Sequence, residues 1–200
     1  MHKKKLQRRF HSHPLFFDIT MGLLGQIINS RLFTTVRDSL GLTYDVSFEL
    51  NLFDRLKLGW HVISITSTPG KVCRAVDACK NVLRDLRSNK IAQSELDWAK
   101  RTLLMRHEAE STLNAYWLES LAHLQAASNI SCIKDLNSLY EVVTVDDIYL
   151  AYDQLKIDES SMYSCVGFAG AQVVEEIFDK EDLCSCVIWF SFFIDCGVHN

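Results

Sequence analysis

From Tyr44 to Phe53 the chain alternates without a break. Val46, Phe48, Leu50 and Leu52 are apolar, while Asp45, Ser47, Glu49 and Asn51 are polar. A period of two sends the two sets to opposite faces of a strand, so this run needs a sheet with one face in a core and the other in water. Asp54 to Lys57 reads as a turn. Leu58 to Ser67 returns as a second strand, with Trp60, Val62, Ile63 and Ile65 covering both faces. The pair is expected to form an antiparallel hairpin with a four-residue connection.

The segments around the hairpin read as helices. Ile19, Leu23 and Ile27, with Leu24, Ile28, Leu32 and Val36, recur at helical spacing with few charges between them, which predicts a buried helix over Asp18–Leu40. Gly22, Gly25 and Ser30 are small enough to let a sheet approach. Gly41 fits the position just past the helix end, with Leu42 as its apolar companion. Beyond the hairpin, Thr68-Pro69 reads as N-cap and first residue of a helix carrying Val72, Val76, Cys79, Leu83 and Leu86 on one stripe. Ser94 with Asp97 looks like a capping box for a long helix. That helix holds Leu96, Ala99 and Leu103, then Leu113, Trp117, Leu121 and Leu124, with a break expected near Ser111–Asn114. Ile133, Leu136, Tyr140 and Val143 mark another helix. Thr144 and Asp147 cap the next, which holds Ile148, Tyr152 and Leu155. Met162–Phe168, apolar on both faces, reads as a central strand.

The order is helix, hairpin, several helices, strand. It predicts an α+β fold with helices packed on one face of a largely antiparallel sheet. The expected organisation is a solvated basic arm over residues 1–13, one α+β domain over 14–172, and a divergent tail over 173–200. The arm and the tail are expected to pack poorly.

Charge and cysteine content narrow the function classes. The formal net charge is −4, which gives no nucleic-acid signature. The most apolar run, Val187–Ile194, is far shorter than the ~20 residues of a membrane-spanning helix, and no signal-peptide hydrophobic region follows the basic start. The seven cysteines have no framework spacing, which favours free thiols in a reducing compartment. Cys73, Cys79 and Cys165 fall on faces expected to be buried.

Two places have residue types of a metal site. His107-Glu108-Ala109-Glu110 lies on a helix, but it is neither His-Glu-x-x-His nor His-x-x-Glu-His, and its two glutamates point to different sides. Cys184, Cys186, Cys196 and His199 straddle a long apolar run that no zinc-finger spacing resembles. Neither is expected to hold a metal. The third place is the turn between the first helix and the first strand. Arg37 sits in the last helical turn and Tyr44 stands across Gly41. A helix-to-strand turn can bring the two together, and both are donors suited to a polarised oxygen. The plainer account makes Arg37 a helix C-terminal cation and Tyr44 a strand aromatic.

Ser30-Arg-Leu-Phe33, followed by Val36-Arg-Asp-Ser-Leu-Gly-Leu-Thr-Tyr44, resembles a pattern of the insulinase/pitrilysin zinc metallopeptidases, the inverzincins. The likeness continues through Tyr44–Asp54, Ala99–Glu110 and Ile148–Tyr152, and it spans about Pro14 to Gln172. The resemblance implies the C-terminal, substrate-binding half-domain of such a peptidase, with a mitochondrial processing peptidase-like fold. Such domains carry further strands and a helix ahead of the first helix seen here, which implies an N-terminally incomplete domain. By the same resemblance Arg37 would bond a substrate carbonyl and Tyr44 would stabilise the oxyanion. The zinc motif His-x-x-Glu-His is missing, so zinc is expected in a complementary half, carried by the same longer chain or by a separate subunit. The implied partners are that zinc-bearing N-terminal half and precursor or transit peptides, and the implied location is the chloroplast stroma. This chain alone is then expected to be inactive. Two other readings stay open: a non-catalytic peptide-binding module, and a truncated fragment without independent activity.

Overall fold

A computed structural model of the protein describes residues 13, 15–53, 58–123, 136–155, 157, 163–168 and 186–195. Helix α1 spans Phe16–Leu32, and Met21, Leu23, Leu24, Ile27, Ile28 and Leu32 on it are fully buried. Its expected continuation to Leu40 is only partly realised, because Phe33–Ser39 widens into a π-helix. Thr34, Thr35 and Val36 explain the change: successive β-branched side chains crowd the preceding turn of a regular α-helix. The Ser39 hydroxyl takes up the Thr34 carbonyl at 2.7 Å.

Strands β1, Asp45–Phe53, and β2, Leu58–Ser67, pair antiparallel with Phe48 opposite Ile63 and Val46 opposite Ile65. That register puts Val46, Phe48, Ile63 and Ile65 on one buried face, with His61 beside them. The Phe48 and His61 rings lie 5.3 Å apart. Burial pushes the His61 pKa down to about 3, so its ring is neutral at pH 7. The residues expected to join the two strands, 54–57, lie outside the described set. The C-terminal half of α1 packs on this face. A Cβ at Gly25 would sit 3.7 Å from the Phe48 ring, and the Asn29 amide bonds both the Phe48 carbonyl, at 2.8 Å, and its N–H, at 2.6 Å.

Two further strands, β3 over Tyr163–Phe168 and β4 over Cys186–Asp195, complete an antiparallel sheet of order β1-β2-β4-β3. The order corrects one expectation. Tyr163–Phe168 is an edge strand of the described sheet, with Tyr163 64 % exposed, and β4 takes the place beside β2. The apolar residues of Tyr163–Phe168 misled because a run without alternation does not say which strands flank it. The run Val187–Ile194, expected in a poorly packed tail, is hydrogen-bonded to a strand on each side.

The remaining helices among the described residues are α2, Val72–Arg84; α3, Gln93–Glu110; α4, Asn114–His123; α5, Leu136–Val142; and α6, Val145–Gln154. Two helix starts differ from expectation. Thr68 and Pro69 precede α2 in a turn closed by the Lys71 N–H on the Thr68 carbonyl, and Lys71 is the N-cap. Helix α3 begins two residues earlier than Ser94 as N-cap would place it, with Ala92 as N-cap and the Glu95 carboxylate accepting the Ala92 N–H at 2.8 Å. The Thr144–Asp147 cap of α6 forms as expected, with Asp147 accepting both the Thr144 N–H and its hydroxyl. The break after α3 also falls where the sequence places it. Of the three cysteines expected to be buried, Cys79 is, and its thiol pKa is pushed up to about 12 by burial; Cys73 and Cys165 are exposed.

The chain gathers into two compact units, with the division falling between Leu24 and Gly25, between Lys90 and Ile91, and between Ala151 and Tyr152. The unit that includes Gly25–Lys90 holds the sheet, the π-helical segment and α2. In the other, Lys100 donates to the carbonyls of Val143, at 2.6 Å, and Glu141, at 3.2 Å, closing the C-terminal end of α5. Its burial there lowers its pKa.

Candidate functional site

Arg37 lies near the end of the π-helical segment and Tyr44 lies immediately before β1. The chain between them turns at Gly41, whose φ of +58° is left-handed and suits glycine. The Leu42 N–H reaches the Val36 carbonyl at 3.0 Å and the Gly41 N–H reaches the Arg37 carbonyl at 3.1 Å. The first of these bonds closes over the end of the π-helical segment, and the second ties the glycine to the residue that carries the guanidinium. The turn is therefore fastened to the helix that supplies Arg37.

The same turn is tied to the sheet. The Tyr44 N–H donates to the Thr66 carbonyl at 2.8 Å. The Thr43 hydroxyl lies 2.5 Å from the Asp45 carbonyl oxygen and 2.7 Å from that of Thr66. The Ser67 hydroxyl bonds the Leu42 carbonyl, and the Lys71 ammonium reaches the Gly41 carbonyl at 3.3 Å. Thr43 and Ser67 are buried.

Against this fixed backbone the two donor side chains are exposed. Tyr44 is 58 % exposed, and neither its hydroxyl nor the Arg37 guanidinium makes a hydrogen bond among the described residues. The Arg37 guanidinium carbon lies 4.5 Å from the centre of the Phe33 ring, a cation–π contact one helical turn away. That contact leaves the N–H fork available. Arg31, in the same stretch of sequence, is used differently. Its guanidinium bonds the carbonyls of Asn89, at 2.7 Å, and Lys90, at 3.3 Å, and so fastens the segment after α2.

One of the two metal candidates lies among the described residues. The His107 Nδ1 lies 2.6 Å from the Tyr116 hydroxyl, which engages the imidazole in holding α4 to α3. Cys184, Cys196 and His199 lie outside the described residues. Among the described residues no three His, Cys, Asp or Glu side chains come together as a metal site.

Residues 11–103 match the family model described as the Peptidase M16 inactive domain. The chain is 71% identical over 178 residues to the chloroplastic stromal processing peptidase of Arabidopsis thaliana, covering 87% of this chain and 14% of that protein. It is 71% identical over 175 residues to that of Pisum sativum, covering 86% of this chain and 14% of the relative.

The chain belongs to the M16 peptidase family.

A likeness in structure agrees on the fold. The periplasmic protease PqqL from Escherichia coli superposes with a TM-score of 0.58 at 15% identity, over 70% of this chain and 16% of that one. The match to the inactive domain of M16 peptidases covers α1, the π-helical segment, the hairpin, α2 and the first part of α3, and so includes both Arg37 and Tyr44. The chain spans about one-seventh of the length of the curated relatives it matches. No helix among the described residues is long and apolar enough to cross a membrane.

The sequence reading named the two exposed donors and missed the groups that hold them. Thr43, Ser67, Lys71 and Asn29 carry no motif of their own. For Thr43 and Ser67 the one signal is polarity beside a turn, where short hydroxyl side chains bond the backbone.

Proposed function

We propose that this chain is the metal-free, substrate-binding half of a zinc metalloendopeptidase that removes transit peptides from precursor proteins in the chloroplast stroma. The complementary half, carried by the same longer chain or by a second subunit, holds the zinc. Arg37 and Tyr44 face one substrate-bearing surface. Arg37 donates to a carbonyl of the extended peptide in the ground state. Tyr44 donates its hydroxyl to the oxygen of the scissile carbonyl as negative charge builds there, the moment at which a preorganised donor is most effective.

The observation that carries this reading is the pairing of a fixed backbone with free side chains. From Gly41 to Asp45 main-chain groups are tied to helix or sheet, yet both donor side chains point their polar ends to no described partner. A structural arginine and tyrosine would be expected to bond within the chain. The relatives' name, stromal processing peptidase, supports a processing activity and the compartment, and the transit-peptide substrate is part of the proposal.

The test is reconstitution. This chain alone is expected to release no product from a precursor peptide. Mixed with a half bearing His-x-x-Glu-His, it is expected to co-elute in gel filtration and to restore chelator-sensitive cleavage. Chelator-sensitive cleavage by this chain alone, or full cleavage by the metal-bearing half without it, overturns the reading.

A further inference from the structure

Tyr44 stands just ahead of the sheet ladder, which begins where Asp45 faces Thr66. A residue in that position ordinarily frays, since strand ends open at little free-energy cost. Here two hydroxyls bracket it. Thr43, on the β1 side, places its single hydroxyl hydrogen between the carbonyls of Asp45 and Thr66. Ser67, on the β2 side, reaches back to the Leu42 carbonyl at 2.5 Å. The ties cross, the turn lending the Thr43 hydroxyl to β2 and β2 lending the Ser67 hydroxyl to the turn, and Tyr44 follows them with its own N–H on Thr66. Thr43 is 8 % exposed and Ser67 1 %, so water does not compete for either bond. With the backbone held, the phenol keeps only its two side-chain torsions.

We propose that Thr43 and Ser67 are positioning residues for Tyr44: their crossed hydroxyl bonds set where the exposed phenol meets a substrate carbonyl. This rests on the reading of Tyr44 as an oxyanion donor. Neither hydroxyl touches substrate. Both act by removing backbone freedom before the substrate arrives, so their effect belongs in turnover rather than in binding.

The experiment uses the assembled peptidase, with steady-state kinetics on a precursor peptide and amide exchange on the same samples. Thr43→Val keeps the shape and removes the hydroxyl. It is expected to lower kcat by roughly ten- to a hundredfold while KM stays within about twofold, as a small misplacement of a reacting group does. Thr43→Ser, which keeps the hydroxyl, is expected to retain kcat, and Ser67→Ala to lower it in the same sense as Thr43→Val. With Tyr44→Phe already present, Thr43→Val is expected to cost nothing further. Exchange at the Tyr44 amide is expected to quicken about tenfold or more in Thr43→Val, while the Ile63 amide at the sheet centre stays protected, which separates the effect from unfolding. Unchanged kcat in Thr43→Val, an equal loss in the Tyr44→Phe background, or unchanged exchange at Tyr44 overturns the positioning role. Unchanged kcat for Tyr44→Phe alone overturns the donor reading itself.

Discussion

Two interrupted helices in this protein carry side chains of catalytic type, and they use them in opposite ways. At the elbow between α3 and α4, His107 bonds Tyr116, the Trp117 indole N–H donates to the Ser111 carbonyl at 2.7 Å, and the Tyr116 and Trp117 rings meet edge to face. Functional-looking groups hold the elbow shut. At the turn from Arg37 to Tyr44 the holding is done by backbone amides, two hydroxyls and a lysine, and the arginine fork and the phenol make no hydrogen bond among the described residues. A histidine on a helix is a weak sign of chemistry when its ring already has a neighbour. An arginine and a tyrosine remain candidates when the described groups around them are held without them.

Acid should separate the two regions most sharply. The His61 pKa falls from an ordinary 6.5 to about 3 because the ring is buried in the sheet. A lowered folded value means the unfolded chain binds the proton first. Stability is thus fully present above pH ~6.5 and is lost as pH falls toward ~3, by up to several kcal/mol. Amide protection in β1 and β2 should decline over that window, and His61→Leu should flatten the decline. An unaltered pH profile in His61→Leu would show that another group carries the acid sensitivity.

Next in size is Tyr44→Phe in the reconstituted peptidase. Turnover should drop by roughly 10²–10³ with near-normal folding and substrate affinity, while His107→Phe should leave turnover within about twofold. The reverse pattern would make the elbow the working region and the turn the structural one. Arg37→Ala should weaken peptide binding by about 1.5–3 kcal/mol, the usual size of a hydrogen bond from a charged donor, readable as a raised KM or by direct titration. An unchanged affinity would return Arg37 to a helix-end role.

Smaller effects probe the frames themselves. Gly41→Ala should destabilise by about 1–2 kcal/mol, since an alanine is strained at φ of +58°. Trp117→Phe removes one indole bond at a partly exposed site and should cost about 1 kcal/mol. Denaturant unfolding measures both. Gly41→Ala should also reduce turnover, whereas Trp117→Phe should not. Loss of turnover in both would erase the distinction between the regions.

Much of the fold was legible in the residues, as was the turn that carries the candidate site. Strict alternation from Val46 to Leu52 fixes strand and face together, because only one register buries Val46 and Phe48. The Thr144–Asp147 cap and the break after α3 were readable because their causes are local, a side chain closing on a backbone a few residues away. The π-helix was not foreseen, although Thr34, Thr35 and Val36 lie in plain view, since β-branching raises the cost of an α-turn without saying what replaces it. Cys73 and Cys165 misled for the same kind of reason: a position on an apolar stripe is buried only if something packs there.

What the sequence determined by itself was mostly set by neighbours along the chain: the paired strands, the existence of the helices, the left-handed glycine, and the Arg37–Tyr44 pattern that placed the family. The tertiary structure alone decided that β4 stands between β2 and β3, since strand order depends on partners far apart in the chain. It alone decided, too, that Arg37 and Tyr44 make no hydrogen bond through their side chains among the described residues. Whether a polar side chain is already satisfied depends on which distant carbonyls and hydroxyls the fold brings near. Thr43 meeting Thr66 and Ser67 meeting Leu42 are contacts that no spacing in the sequence encodes.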